Sequence, residues 1–400
     1  MNVLVVNAGS SSLKYQLFDT TAGVVKAKGL CERIGIDGKI KHTNLETGAV
    51  LEKETEMANH TVATKIVIDA LVSAEYGSVK DMSEIEAVGH RVVHGGEYFS
   101  ESVLVTDAVM EKLELCRDLA PLHTPAHIMG IQGCTEAMPG TPQVLVFDTA
   151  FHTATMPEHV YTYPLEYELC QKYAIRRYGA HGTSHRYVAG ECAKLLGGAE
   201  GTKVVTCHLG NGSSISAVKD GKILDTSMGF TPLAGIEMGT RCGDIDPAIV
   251  PYIMNKTGMT PDEVNNYMNK KCGFLGVSGI SSDCRDVSNA AKEGNHRAQL
   301  ALDIVAYEIK KYIGAYTAAM GGLDAIVFTA GIGENDVGFR ARVMDGLEFM
   351  GIDFDYDKNQ ERFGEATELT KPGSKVKVFM IPTNEELVIA KDTEAIVKAL

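Results

Sequence analysis

No apolar run in the chain approaches 18 residues, which excludes a membrane-spanning helix. The N-terminus, Met1-Asn2-Val3-Leu4, lacks the charged n-region and cleavage site of a secretory leader, so a cytoplasmic location is expected. Positive charge is in deficit: 38 Lys and Arg stand against 52 Asp and Glu, a formal charge of −14. That balance excludes a general nucleic-acid or anionic-membrane binder but leaves room for a local basic pocket that holds phosphates. The nine cysteines are scattered with no C-x-x-C pair. An odd, dispersed set fits reduced core thiols and neither a disulfide framework nor a zinc knuckle. There is no Pro/Ser-rich linker and no low-complexity segment. The chain has no G-x-x-x-x-G-K-[ST], which excludes a Walker A loop, and neither early glycine loop reads G-x-G-x-x-G ahead of a helix, which weakens a Rossmann reading.

What is present is 400 residues, 44% hydrophobic and 22% charged, enough for a sizeable core and two domains. The apolar run Val3-Leu4-Val5-Val6 stops at Asn7-Ala8-Gly9-Ser10-Ser11-Ser12, and a largely alternating stretch resumes from Leu13 to Phe18. Strand, small-residue turn, strand reads as a hairpin. The design recurs about 200 residues later, where Val204–His208 leads through Gly210-Asn211-Gly212-Ser213-Ser214 into Ile215–Val218. The echo suggests one unit duplicated across two domains. Further strands are expected at Val144–Phe147, ending on Asp148, and at Ala325–Ala330, running into Gly331-Ile332-Gly333-Glu334-Asn335. Helical periodicity covers residues 61–72, 108–119, 185–196, 297–319 and 385–400, so the class is α/β. A boundary is placed near residues 149–157, giving domains of 1–150 and 151–384.

Both glycine loops join two strands. Their backbone N–H groups and serine hydroxyls can form an anion nest, or they can be ordinary hairpin turns. Three H-x-x-x-H pairs, His90/His94, His123/His127 and His181/His185, have the spacing of zinc ligands on a helix. Pro125, Gly182 and Gly95-Gly96 interrupt or follow them, however, and none carries the Glu of H-E-x-x-H. Arg91 and Arg241 lie among glycines that permit close approach of a ligand. Asp148 is placed either for function or to cap a turn. Thr383-Asn384-Glu385-Glu386 reads as a helix capping box with Glu386 reaching back, which leaves Glu385 free.

These motifs resemble the acetate kinases along nearly the whole chain. The resemblance rests on Asn7 to Lys14, Gly89-His90-Arg91-Val92-Val93-His94-Gly95-Gly96, Pro121-Leu122-His123, Phe147 to His152, and His181-Gly182-Thr183-Ser184-His185. It continues through His208 to Ser213, Met228 to Leu233, Gly239-Thr240-Arg241, Gly331 to Asn335, and Pro382 to Glu386. It implies two duplicated actin-like (ribonuclease H-like) domains with nucleotide in the cleft between them, and the last helix, 385–400, returning to the first domain. It also implies a homodimer and Mg²⁺-dependent, reversible, in-line phosphoryl transfer from ATP to acetate, with Mn²⁺ able to substitute. By the same resemblance, Arg91 holds the carboxylate, and Val93, Leu122 and Pro232 line the methyl pocket. His181 and Arg241 stabilise the transferring phosphoryl group, and His123 helps position it or the substrate. Asn7 and Glu385 hold the metal. Lys14 and the run His208, Leu209, Gly210, Asn211 and Gly212 meet phosphates, while Asp283, Cys284, Arg285 and Gly331, Ile332, Gly333, Glu334, Asn335 hold adenosine. Asp148 is the family's proton-handling carboxylate, yet acetate is already ionised, so a role in orienting Arg91 or metal-bound water is favoured.

Two residues depart from the family pattern: Ala180 stands where Phe is expected and Thr124 where Asn is expected. The smaller wall at Ala180 admits propionate as a second substrate. Two readings of other classes remain open, an actin- or Hsp70-like ATPase switch and a zinc hydrolase built on the histidine pairs.

Overall fold

The computed structural model describes residues 1–121, 123–361 and 364–400. The chain divides into two compact units, Met1–Thr153 with Asn384–Leu400, and Ala154–Thr383. The class is mixed α/β, with one sheet in each unit.

In the first unit the strands are β1 (Asn2–Ala8), β2 (Ser12–Asp19), β3 (Val24–Glu32), β4 (Lys39–Asn44), β5 (Val50–Glu54), β6 (Ala87–Val92), β7 (Val103–Leu104) and β8 (Gln143–Phe147). They lie in the order β5-β4-β3-β2-β1-β6-β8-β7. The second unit has β9 (Lys203–Leu209), β10 (Ser213–Lys219), β11 (Lys222–Thr226), β12 (Ala325–Thr329), β13 (Thr367–Glu368) and β14 (Lys377–Met380), ordered β11-β10-β9-β12-β14-β13. The core of each sheet is the same. A three-stranded antiparallel meander, β1-β2-β3 or β9-β10-β11, is followed by two strands parallel to its first, β6 and β8 or β12 and β14. The internal echo in the sequence is thus a repeated topology. Asn7 stands opposite Lys14 at the end of the first hairpin, as His208 stands opposite Ser214 in the second.

Strand β1 is buried on both faces, which is why it reads as an unbroken apolar run rather than an alternation. Leu4 and Val6 pack with the helix His60–Leu71 and with Cys134 of the helix Thr124–Ala137. Val3 and Val5 pack with Ile389 and Ala390 of the last helix, Glu385–Val397. That helix approaches β6 closely: a Cβ at Gly89 would lie 2.4 Å from Thr393 Oγ1 and 2.7 Å from Ile389 Cγ2. In the second unit, Val205, Cys207, Ile215 and Ala217 pack with the long helix His296–Met320, which Asn295 caps and Gly321 ends at φ +74°. All nine cysteines are free thiols, seven of them buried. No helix among the described residues is long and apolar enough to cross a membrane.

Several elements differ from the sequence reading. The helix expected over 108–119 ends at Leu115 and passes into a short 3-10 turn, Arg117–Leu119. Pro125 and Gly182 do not interrupt helices: each lies in a first turn, where a missing N–H or Cβ costs little, so His127 and His185 sit inside helices and His123 and His181 immediately before them. The last helix is capped by Asn384, whose side chain accepts from Leu387 N at 3.0 Å. Glu386 does not reach back as in a capping box but pairs with Lys14 at 2.9 Å.

Candidate active site

The first unit gathers its polar residues at the ends of β1, β6 and β8. Arg91 on β6 donates from Nη2 to Asp148 Oδ2 and from Nη1 to Asn7 Oδ1, the latter at 3.5 Å. Its Nε lies 4.0 Å from Glu385 Oε2 and is buried without a hydrogen-bond partner among the described residues. Asp148 follows β8 directly, and its backbone N–H donates to Val92 O at 2.9 Å, so the strand pairing itself aims the carboxylate at Arg91. Burial, and after it the Asp148 charge, pushes Glu385 up to about 7. Lys14 belongs to the same neighbourhood through its pair with Glu386.

Beside this cluster, Val93 donates its N–H to His127 Nε2 at 3.2 Å. Burial, with the Arg91 charge second, lowers His127 to about 3, so its ring is neutral and accepts at Nε2. The His123 ring stacks on His127, with centroids 6.3 Å apart. Val93 is half-buried. Leu122, expected beside it, lies outside the described residues.

In the second unit, His181 immediately precedes the helix Gly182–Leu195 with φ +59°, a left-handed conformation uncommon for a residue with a Cβ. Its ring stacks on His208 at 4.1 Å between centroids. His181 Nδ1 meets Ser214 Oγ at 2.8 Å, and His185 Nε2 meets the same oxygen at 2.7 Å. His185 Nδ1 meets Thr206 Oγ1 at 2.7 Å, while His208 Nδ1 meets Ser184 Oγ at 2.8 Å. A Cβ at Gly212 would lie 3.2 Å from Arg241 Nη1 and 3.6 Å from His181 Nε2, so both donors face this glycine. Asn211 O accepts from Gly239 N at 3.1 Å and ties the loop bearing Leu209 and Gly210 to the one bearing Arg241. Arg241 Nη1 donates to Pro232 O at 3.3 Å, and burial lowers its pKa. Among the described residues no carboxylate pairs with it. A half-buried guanidinium without a counter-ion, beside an imidazole and a glycine turn, is a site for an anion.

The segments expected to hold adenosine are neighbours, since Cys284 and Ser288 both reach Asp336, at 3.8 and 3.2 Å. Asp283 caps the helix Cys284–Lys292 by accepting from Arg285 N at 2.9 Å. The exposed Arg285 folds back on it and lowers Asp283 to about 2. Cys284 is buried. The run Gly331, Ile332, Gly333, Glu334 and Asn335 forms the short helix Ala330–Asn335, entered through Ala330 at φ +63°. Glu334 Oε1 is used within the fold, accepting from Ala330 N at 2.9 Å and Thr383 N at 3.0 Å. Arg340, fully buried, donates to the carbonyls of Gly333 and Glu334, both at 2.9 Å, and to Asn359 Oδ1 at 2.7 Å.

Thus Asn7, Arg91, Asp148 and Glu385 come together in one unit, and His181, His208, Asn211, Gly212 and Arg241 in the other. The partners His127, Ser184, His185, Thr206 and Ser214 were not singled out as site residues. The H-x-x-x-H spacing marked two of them, but the pairs are engaged in hydrogen bonds. Among the described residues, no group of three or more His, Cys, Asp or Glu is placed to hold a metal ion.

Residues 2–391 match the model of the Acetokinase family. The chain belongs to that family. It is 57% identical over 399 residues to an acetate kinase of Methanosarcina barkeri, covering 100% of this chain and 97% of that one. The crystal structure of Porphyromonas gingivalis acetate kinase superposes with a TM-score of 0.95 at 48% identity, covering 99% of each chain. A propionate kinase from Francisella tularensis follows at TM-score 0.91 and 42% identity, covering 98% of this chain and 99% of that one. Acetokinase-family membership therefore spans both units, the cluster around Arg91 and the one around Arg241 alike.

Proposed function

We propose that this protein is an ATP:acetate phosphotransferase, forming acetyl phosphate and ADP reversibly. The full-length likeness to acetate kinases carries the reading, and the geometry says how the residues serve it. An acetate oxygen attacks the γ-phosphorus of ATP, the bond from that phosphorus to the β,γ-bridging oxygen breaks, and ADP leaves with the electron pair. Acetate is ionised at neutral pH, so no base is needed; the barrier lies in charge repulsion and alignment. Arg91 binds the carboxylate, and Asp148, already hydrogen-bonded to it, fixes the guanidinium plane. Val93, held by His127, lines the acyl end with Leu122 and Pro232, and His123 positions it. Arg241 and His181 donate to the equatorial oxygens of the phosphoryl group as charge spreads over them. His208 to Gly212 and Lys14 meet the phosphates. Asp283 to Arg285 and Gly331 to Asn335 hold the adenosine, with Cys284 and Glu334 shaping the backbone.

Glu385 and Asn7 are all-oxygen donors and suit Mg²⁺, or Mn²⁺ in its place. Such an ion takes one or two protein ligands and completes its shell from water and phosphate. When bound, the ion neutralises phosphate charge. A cytoplasmic homodimer completes the proposal.

Propionate is proposed as a second acceptor, because Ala180, which clusters with Met228 and Met238, is a smaller wall than the Phe the family pattern leads one to expect there. The test is ADP formation and acyl hydroxamate yield with Mg-ATP and hydroxylamine, using acetate, propionate and butyrate. Acetyl hydroxamate that is lost in Arg91→Ala is the expected result. ADP without hydroxamate would overturn the reading in favour of an ATPase switch.

A further inference from the structure

We propose that Ser214 is a positioning residue, the centre of a one-way hydrogen-bond chain Thr206–His185–Ser214–His181 that fixes the proton of His181 on Nε2. The inference rests on the phosphoryl-facing role given to His181 above. Ser214 Oγ lies between two ring nitrogens, 2.8 Å from His181 Nδ1 and 2.7 Å from His185 Nε2. A hydroxyl has one hydrogen, so it donates to only one of them. Phosphoryl oxygens only accept, so His181 serves them with a hydrogen on Nε2, the nitrogen that faces Gly212 beside Arg241 Nη1. In a neutral ring that leaves Nδ1 bare, and Ser214 must donate to it. Ser214 then has only lone pairs to offer His185 Nε2, which must carry that ring's hydrogen. His185 Nδ1 is in turn bare and accepts from the Thr206 hydroxyl, 2.7 Å away.

The reverse direction would put a lone pair of His181 Nε2 against anionic oxygens. Thr206, His185 and Ser214 are all fully buried, so no bulk water is at hand to exchange donors along the chain. The elements are fixed as well: Thr206 and Ser214 sit on the paired strands β9 and β10, and the two histidines are one helical turn apart. Hence the tautomer of a residue at the reacting group is coupled, through Ser214 and His185, to a threonine on the sheet three side chains away.

The test is long-range ¹H–¹⁵N NMR on the full chain with ¹⁵N-labelled histidine, assigned by loss of signals in His181→Ala, together with steady-state kinetics. In the unaltered protein His181 is expected to be protonated at Nε2 and bare at Nδ1. Ser214→Ala is expected to give a mixed tautomer, with kcat down about tenfold and both KM values within about twofold. Thr206→Val, nearly isosteric and further from the site, is expected to shift the same signals by less; it gives the readout if Ser214→Ala does not fold. A hydrogen on His181 Nδ1 in the unaltered protein, or a folded Ser214→Ala protein with normal kcat while His181→Ala is impaired, would overturn the relay. Normal kcat in His181→Ala would instead overturn the role of His181 itself, and the relay with it.

Discussion

Glu237 donates its backbone N–H to the Glu308 carboxylate at 2.6 Å, while its own carboxyl group is buried and neither oxygen finds a partner among the described residues. Burial, with the Glu308 charge second, pushes Glu237 up from 4.5 to about 8. Between those values the folded chain holds a proton that the unfolded chain has released. Stability is therefore lost as pH rises through this window and levels off above about 8. Glu237→Gln removes the titration. It is expected to match the unaltered protein in urea unfolding at pH 5 and to exceed it by ~2 kcal/mol at pH 8.5. Parallel pH profiles for the two proteins would show that another group is responsible.

Asp148 holds Arg91 through a charge-assisted hydrogen bond, and an ionised acetate needs no general base. Asp148→Asn is therefore expected to act through Arg91, lowering kcat/KM for acetate about 100-fold and leaving KM for ATP within about threefold. Initial rates with each substrate varied in turn distinguish this from general-base loss, which would lower kcat and kcat/KM together and remove the base's limb from the pH profile.

Arg340 is a buried cation with no carboxylate hydrogen-bonded to it among the described residues; its acceptors there are the carbonyls of Gly333, Glu334 and Asn359 and the Asn359 side chain. Asn359 in turn donates to Val337 O at 2.8 Å. The pair bolts the end of the short helix Ala330–Asn335 to the segment that follows. Arg340→Met is expected to cost ~3 kcal/mol in thermal or urea unfolding and to raise KM for ATP several-fold, with kcat at saturation nearly kept. Arg340→Lys should not rescue it, because an ammonium cannot reproduce the planar fork.

The close approach of Thr393 to Gly89 supplies a fourth expectation. Gly89→Ala forces the last helix off β6 and should cost ~2 kcal/mol, read as a lower unfolding midpoint. Adding Thr393→Ala removes the nearest clashing atom, and the double variant is expected to recover part of the loss.

The glycine-serine turns, the short buried strands and the long helices were legible because each is written in one local stretch. Strands β3, β4 and β5 were not. They extend the sheet toward its edge, and residues such as Lys39, Lys41 and Glu52 pair in solvent and read as ordinary polar surface. The helix Thr124–Ala137 was hidden by Pro125 and by two glycines with packing reasons of their own: a Cβ at Gly130 would lie 2.9 Å from Ala8 Cβ, and one at Gly133 3.0 Å from Thr61 Cα. The charged site residues stood out by resemblance to known motifs. Their supports, Ser214 and Thr206 for His181 and His127 for Val93, did not, because register across a sheet and contacts between distant segments leave no short-range pattern.

The first unit is discontinuous, closed by Asn384–Leu400, whereas the second is one unbroken stretch. On the ribosome the order of completion therefore inverts the order of the sequence. Residues 154–383 are all available while the first sheet still waits for the helix that covers β1 and β6. Glu385 emerges with that helix, so a nascent or prematurely ended chain can hold Arg91 against Asp148 yet lack the second carboxylate beside it. The cluster around Arg91 is thereby assembled late: it is whole only once the chain has been translated past Glu385 and the helix Glu385–Val397 has docked.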